Sequence, residues 1–281
     1  MQATILSHHR HAPAPYAVDN TDWLKAAAII LVVIDHFGYF FMEDDRWWSV
    51  FGRLAAPTFF FLLGYAQTQA VPLHWIWLGI ILTLLNSWNA NWTWVTPNIL
   101  LSFVFIRIVR PYMQTFLQRR GWVAFAFLIF VLLTMLPIAT KVFEYGSEGW
   151  LWALFGLCQR MYIDGRSATR LDDSALGPAP PALAESTDPM RLLACLIAVA
   201  VYIWQEQTEY SFPPLHFAVV ILSVGVMSFG LYLFHRGPSR IQPPEAIATF
   251  LGFVGRHTLE IYAIQLAGSE LLVILVPDLA P

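Results

Sequence analysis

The stretch DWLKAAAIILVVIDHFGYFF, residues 22–41, decides how the rest of the chain is read. It is long enough to cross a bilayer, which takes roughly 20 apolar residues in a helix. Yet Asp35 and His36 stand inside it where a plain anchor carries Leu or Val. Ionisable groups in hydrocarbon are costly, so an adjacent carboxylate and imidazole mark a candidate functional site. Lys25 precedes His36 by eleven residues. That is almost three whole turns, which puts both on nearly one face, about 16 Å apart along the axis.

Outward from this stretch the composition stays the same in kind. Of 281 residues, 57% are hydrophobic and 12% charged, against about 25% charged in an average soluble domain. Apolar runs fall at 22–41, 49–70, 73–88, 97–109, 121–140, 149–163, 191–204, 215–234 and 247–275. They predict an all-α polytopic membrane bundle of about nine transmembrane segments. The third, fourth, sixth and seventh runs are short, and two of them suit re-entrant or tilted segments.

Charge placement gives the expected orientation. If every run spans, one side collects Arg10, Lys25, Arg107, Arg110, Arg119, Arg120, Arg160, Arg166, Arg170, Arg191, Arg236 and Arg240, and the other only Arg46 and Lys141. By the positive-inside rule the N-terminus lies inside and the C-terminus outside. The expected organisation is a disordered cytoplasmic arm at 1–21, a six-span front block at 22–163, a cytoplasmic linker at 164–190 and a three-span rear block at 191–281. The linker reading rests on LGPAPPALAESTDP, rich in turn formers.

Other classes find no footing. No basic cluster interleaved with aromatics points to nucleic acid. Cys158 and Cys195 sit in or beside apolar runs, as small buried hydrophobes do. The tail cluster His8, His9, Arg10 and His11 has nothing nearby to fix a coordination geometry, so no metal site is expected.

Arg53 falls about five residues into the second run, which enters from the side where the first run ends, so Arg53 shares a level with Asp35 and His36. A structural ion pair between Asp35 and Arg53 explains those two residues. It leaves His36 unexplained, because a third ionisable group adds desolvation cost without being needed for neutrality. A histidine that titrates near neutral pH beside an orienting carboxylate suits a general base. Lys25 reads as a snorkelling anchor unless it meets a phosphate-bearing cosubstrate. Asn98, Tyr145 and Gln265 are placed toward the same outer level, and Glu260 near mid-depth.

These residues carry a resemblance. Leu24-Lys25 through Asp35-His36, then Gly52, Arg53, Ala55, Pro57 and Phe59, resemble the opening of the TraX family of membrane proteins, associated with N-terminal acetylation of conjugative pilin. TPNILLSF at 96–103 and EYGSEGWLWALFGLCQRMY at 144–162 resemble later blocks of that family. The Lys25-to-His36 spacing is similar to the basic-x10-His signature of the wider type 3 acyltransferases, with Lys where those usually have Arg. GRHTLEIYAIQL at 255–266 resembles the closing motif of both groups, with Gln265 where relatives tend to have His.

The resemblance implies an acyltransferase in a bacterial inner membrane, in contact with membrane lipids and taking acetyl from acetyl-CoA, with no metal. His36 is then the base oriented by Asp35, Arg53 and Asn98 stabilise the oxyanion, Lys25 meets the donor's phosphates, and Tyr145, Glu260 and Gln265 lie at the substrate. The acceptor is a peptide, a glycan or a lipid-linked group. Two other readings stay open: a proton-coupled transporter or flippase using Asp35, His36 and Arg53 as a relay, and a non-catalytic scaffold clamped by Asp35 and Arg53.

Overall fold

The computed structural model describes residues 18–42, 45–89, 92, 95–172 and 182–276. Among these the chain is all-helical: α1 (Asn20–Phe41), α2 (Trp47–Gly52), α3 (Ala55–Tyr65), α4 (Leu73–Asn89), α5 (Ile99–Arg120), α6 (Trp122–Val142), α7 (Gly146–Asp172), α8 (Ala182–Tyr210), α9 (Pro214–Leu233), α10 (Glu245–Arg256) and α11 (Thr258–Leu275). Six of them, α1, α5, α6, α9, α11 and the Thr187–Tyr210 part of α8, are long and apolar enough to cross a membrane. The other three expected segments take different forms: a broken pair α2–α3, the 17-residue α4, and the long α7.

Helix α1 starts at a capping box, in which Asp19 accepts from the Asp22 backbone and Asp22 returns the contact. Its 22 residues rise about 33 Å, enough for the hydrocarbon core. Asp22, Ala26, Ile29 and Val32 form the buried stripe, while Ile30, Val33 and Phe37 face outward. The outward faces of α6 (Val123, Phe127, Phe130) and α9 (Leu222, Val226, Phe229) are likewise apolar and exposed. Surfaces of this size and character belong in lipid.

Helices α3 and α7 form the centre. Every α3 residue from Ala55 to Tyr65 is buried, as are Leu151, Trp152, Leu154, Phe155 and Leu157 of α7. The backbones touch: a Cβ on Gly64 would run into the Ala153 carbonyl, and one on Gly156 into the Phe61 carbonyl. Only glycine allows this approach, the device by which membrane helices gain van der Waals contact.

The break between α2 and α3 has a local cause. Pro57 stands in the first turn of α3, where its missing N–H leaves the Arg53 carbonyl without a helical partner. The Tyr202 hydroxyl of α8 donates to that carbonyl instead, at 2.5 Å. The ninth run also divides, at His257, so that Glu260 stands in the first turn of α11.

The domain limits read from composition do not coincide with element ends. Helix α7 continues to Asp172 and α8 begins at Ala182, so helix occupies both ends of the 164–190 stretch, and 173–181 lie outside the described residues. Of the 1–21 arm, 1–17 lie outside them too. Val18 is fully buried, and 18–20 pair with 237–239 through Asn20 N–H to Gly237 O and Ser239 N–H to Val18 O.

Candidate active site

The Asp35–Arg53 pair sits where α1 passes the α2–α3 break. One Arg53 terminal nitrogen donates to both Asp35 oxygens, at 2.6 and 2.7 Å. The other donates to the Tyr210 hydroxyl at 2.7 Å, and Nε donates to Ser49 O at 3.2 Å. The guanidinium lies over the Tyr210 ring and 3.7 Å from a Glu206 oxygen. Gly52 lets α2 come this close, since a Cβ there would strike the Asp35 side chain.

His36 faces elsewhere. Its Nδ1 is 2.6 Å from Gln265 Oε1 on α11, and Gln265 Nε2 donates to Ser269 Oγ at 3.3 Å. The imidazole lies 5.7 Å from the Tyr262 ring, whose hydroxyl accepts from Asn98 Nδ2 at 3.2 Å. Asn98 also caps α5 through the Leu100 N–H. Opposite, Glu144 accepts from the Ile99 N–H at 2.8 Å. Burial pushes this carboxyl, in the turn between α6 and α7, up to about 7. In the same turn Tyr145 has φ 62°, a left-handed conformation costing a side-chain-bearing residue about 1–2 kcal/mol.

These groups enclose a chamber of about 30 Å³, lined by Asp35, His36, Glu144, Tyr145 and Tyr262 among others. A second cavity, of about 500 Å³, lies toward the start of α1. Among the described residues its lining includes Lys25, Arg107, Arg160, Arg236 and Arg256 against Asp19, Asp22 and Glu260. Phe59, Phe103 and Leu259 line both spaces and form the wall between them. Lys25 Nζ donates to Gly255 O, and Arg107 stacks on Trp75 while its buried Nε has no hydrogen-bond partner among the described residues.

Several expected placements change. Asp35 is spent on Arg53, and the partner of His36 is Gln265. Arg53 is buried behind Asp35 and does not line the chamber. Glu260, expected near mid-depth, lines the large cavity in the first turn of α11, 3.3 Å from His74. Asn98 acts at one remove, through Tyr262. Tyr145 lines the chamber and Lys25 the large cavity, at opposite ends of α1. Tyr202, Glu206 and Tyr210 were not singled out in the sequence, although their four-residue spacing on one face of α8 is the signal that finds them.

The fold and site define a polytopic α-helical membrane protein with a histidine chamber and a cation-lined cavity sharing one wall. The TraX protein family matches residues 20–224, most of the chain, and the chain belongs to that family. It is 26% identical over 183 residues to Protein TraX of Escherichia coli, covering 63% of each chain. It is 24% identical over 234 residues to Protein TraX of Escherichia coli strain K12, covering 82% of each. No solved structure matches the chain. The family match includes Lys25, Asp35, His36, Arg53, Asn98 and Tyr145, and stops before α11.

Proposed function

We propose that the protein is an acyltransferase that moves acetyl from acetyl-CoA to an amine or hydroxyl acceptor. The observation that carries this reading is the shared wall: a cation-lined cavity fit for phosphates abuts a small chamber holding a histidine. Lys25, Arg107, Arg160 and Arg236 meet the donor's phosphates, and the unpartnered Arg107 Nε is a donor ready for one of them. The distance from Lys25 to His36 along α1, about 16 Å, is the path of the pantetheine arm past Phe59 and Phe103.

In the chamber His36 Nε2 takes the acceptor's proton as the acceptor's nitrogen or oxygen bonds to the acyl carbon. The carbon–sulfur bond breaks, and His36 returns the proton to the departing thiolate. Tyr145 and Tyr262, the latter backed by Asn98, are the hydroxyls at hand for the oxyanion. Arg53 holds Asp35 rather than meeting the oxyanion, since its donors are engaged. Nine crossings of a bacterial inner membrane, with the Lys25 end cytoplasmic, give CoA its access. The resemblance to pilin-acetylating proteins makes a peptide N-terminus the first acceptor to test, with glycans and lipid-linked groups as further arms.

The test is transfer of labelled acetyl from acetyl-CoA by protein in nanodiscs, with peptide, glycan and lipid-linked acceptors. His36→Ala is expected to lower the rate by about 10²–10⁴-fold at unchanged expression. Absence of both transfer and CoA binding defeats the proposal. The breaks at Arg53 and His257 favour a second reading, a proton-coupled transporter or flippase, since interrupted helices are common in transporters. Uptake driven by a pH gradient in proteoliposomes, without acyl transfer, decides for it.

A further inference from the structure

The geometry assigns Gln265, backed by Ser269, as the positioning residue that sets the tautomer of His36; this rests on the acyl-transfer reading. Two contacts orient the amide. Its Nε2 donates to Ser269 Oγ, one turn further along α11, and its Oε1 faces His36 Nδ1 at 2.6 Å. A carbonyl oxygen only accepts, so with the amide this way round Nδ1 carries the proton. Nε2 makes no hydrogen bond among the described residues, and His36 lines the chamber. The nitrogen left with a lone pair is therefore the one available to an acceptor's proton.

Asp35 cannot do this work. It stands next to His36 in sequence, and successive residues on a helix point about 100° apart. Both its oxygens lie on Arg53. The charged and titratable groups around His36 are Asp35 on α1, Arg53 at the α2–α3 break, Glu144 and Tyr145 in the turn before α7, and Tyr262 on α11. None of them is hydrogen-bonded to the ring, so Gln265 alone among the described residues selects its tautomer. An amide carries no charge, so it orients the ring without holding a proton on it as a carboxylate would. Carboxylate and amide at position 265 thus predict different pH profiles from the same hydrogen bond.

The experiment uses the full chain in nanodiscs, labelled with ¹⁵N-histidine, the His36 signals being identified by their loss in His36→Ala. Wild type is expected to show Nδ1–H with Nε2 bare, and Gln265→Leu a mixture of tautomers. With acetyl-CoA and an acceptor, Gln265→Leu is expected to lower kcat by about 10–100-fold, the cost of losing such an orienting partner, at unchanged donor KM. Gln265→Glu keeps the acceptor oxygen and adds charge. It is expected to retain most of kcat and move the acidic limb of the pH profile upward. A residue with a merely structural role would lower thermal stability and leave tautomer and profile alone. An Nε2–H tautomer in wild type overturns the inference, as does full activity of Gln265→Leu beside an inactive His36→Ala; the acyl-transfer reading survives both. Wild-type protein inactive toward every acceptor overturns the two together.

Discussion

Arg53 offers five N–H groups and has partners on all three of its nitrogens, which makes it the most constrained side chain of the site. Removing it strands Asp35 as an unpaired charge, and breaking a buried ion pair costs about 3–5 kcal/mol. Arg53→Met is expected to destabilise by that order in detergent unfolding, and the double variant with Asp35→Leu to recover most of it. Acyl transfer is expected to stay impaired in the double variant, because Asp35 also lines the chamber; a double variant with full transfer would show that the pair is only a structural clamp. That Asp35 and Arg53 meet was legible in the sequence, since depth along two antiparallel runs places them level. Which neighbour His36 meets was not. Depth says nothing about rotation about the axis, and Asp35 and His36, adjacent in sequence, turn to different helices.

At the scale of elements, the apolar runs predicted α1, α4, α6 and α9 within a few residues, while α5, α7 and α8 run well past the limits read. The breaks were hidden, because an apolar run reads as continuous whether or not the helix inside it is. Pro57 was the visible signal for the α2–α3 break, and its consequence is an orphaned Arg53 carbonyl taken up by Tyr202. Tyr202→Phe leaves that buried carbonyl unsatisfied and is expected to cost about 1–3 kcal/mol. The loss should appear as a lower unfolding midpoint, with the Arg53 environment loosened. A midpoint equal to wild type would mean that another donor reaches the carbonyl. The composition of 164–190 was the weaker guide, because Pro and Gly at its middle say nothing about how far flanking helices run; α7 and α8 extend into it from both sides.

At the scale of the whole molecule, packing gathers basic side chains that lie far apart in the chain. Lys25, Arg107, Arg160 and Arg236 meet around one cavity although they come from α1, α5, α7 and the loop after α9. The sequence reading put all four on one side, but their meeting around one cavity depends on packing that hydropathy does not record. The wall of Phe59, Phe103 and Leu259 has a consequence of a different kind. A cavity of about 500 Å³ on one side and a polar chamber on the other leave only a few side chains between them. Phe59 and Phe103 are then the barrier that ions meet between the two spaces. Phe59→Ala with Phe103→Ala in liposomes is expected to collapse an imposed pH gradient faster than wild type, with a dye reporting the leak, and an unchanged decay would place the electrical seal elsewhere.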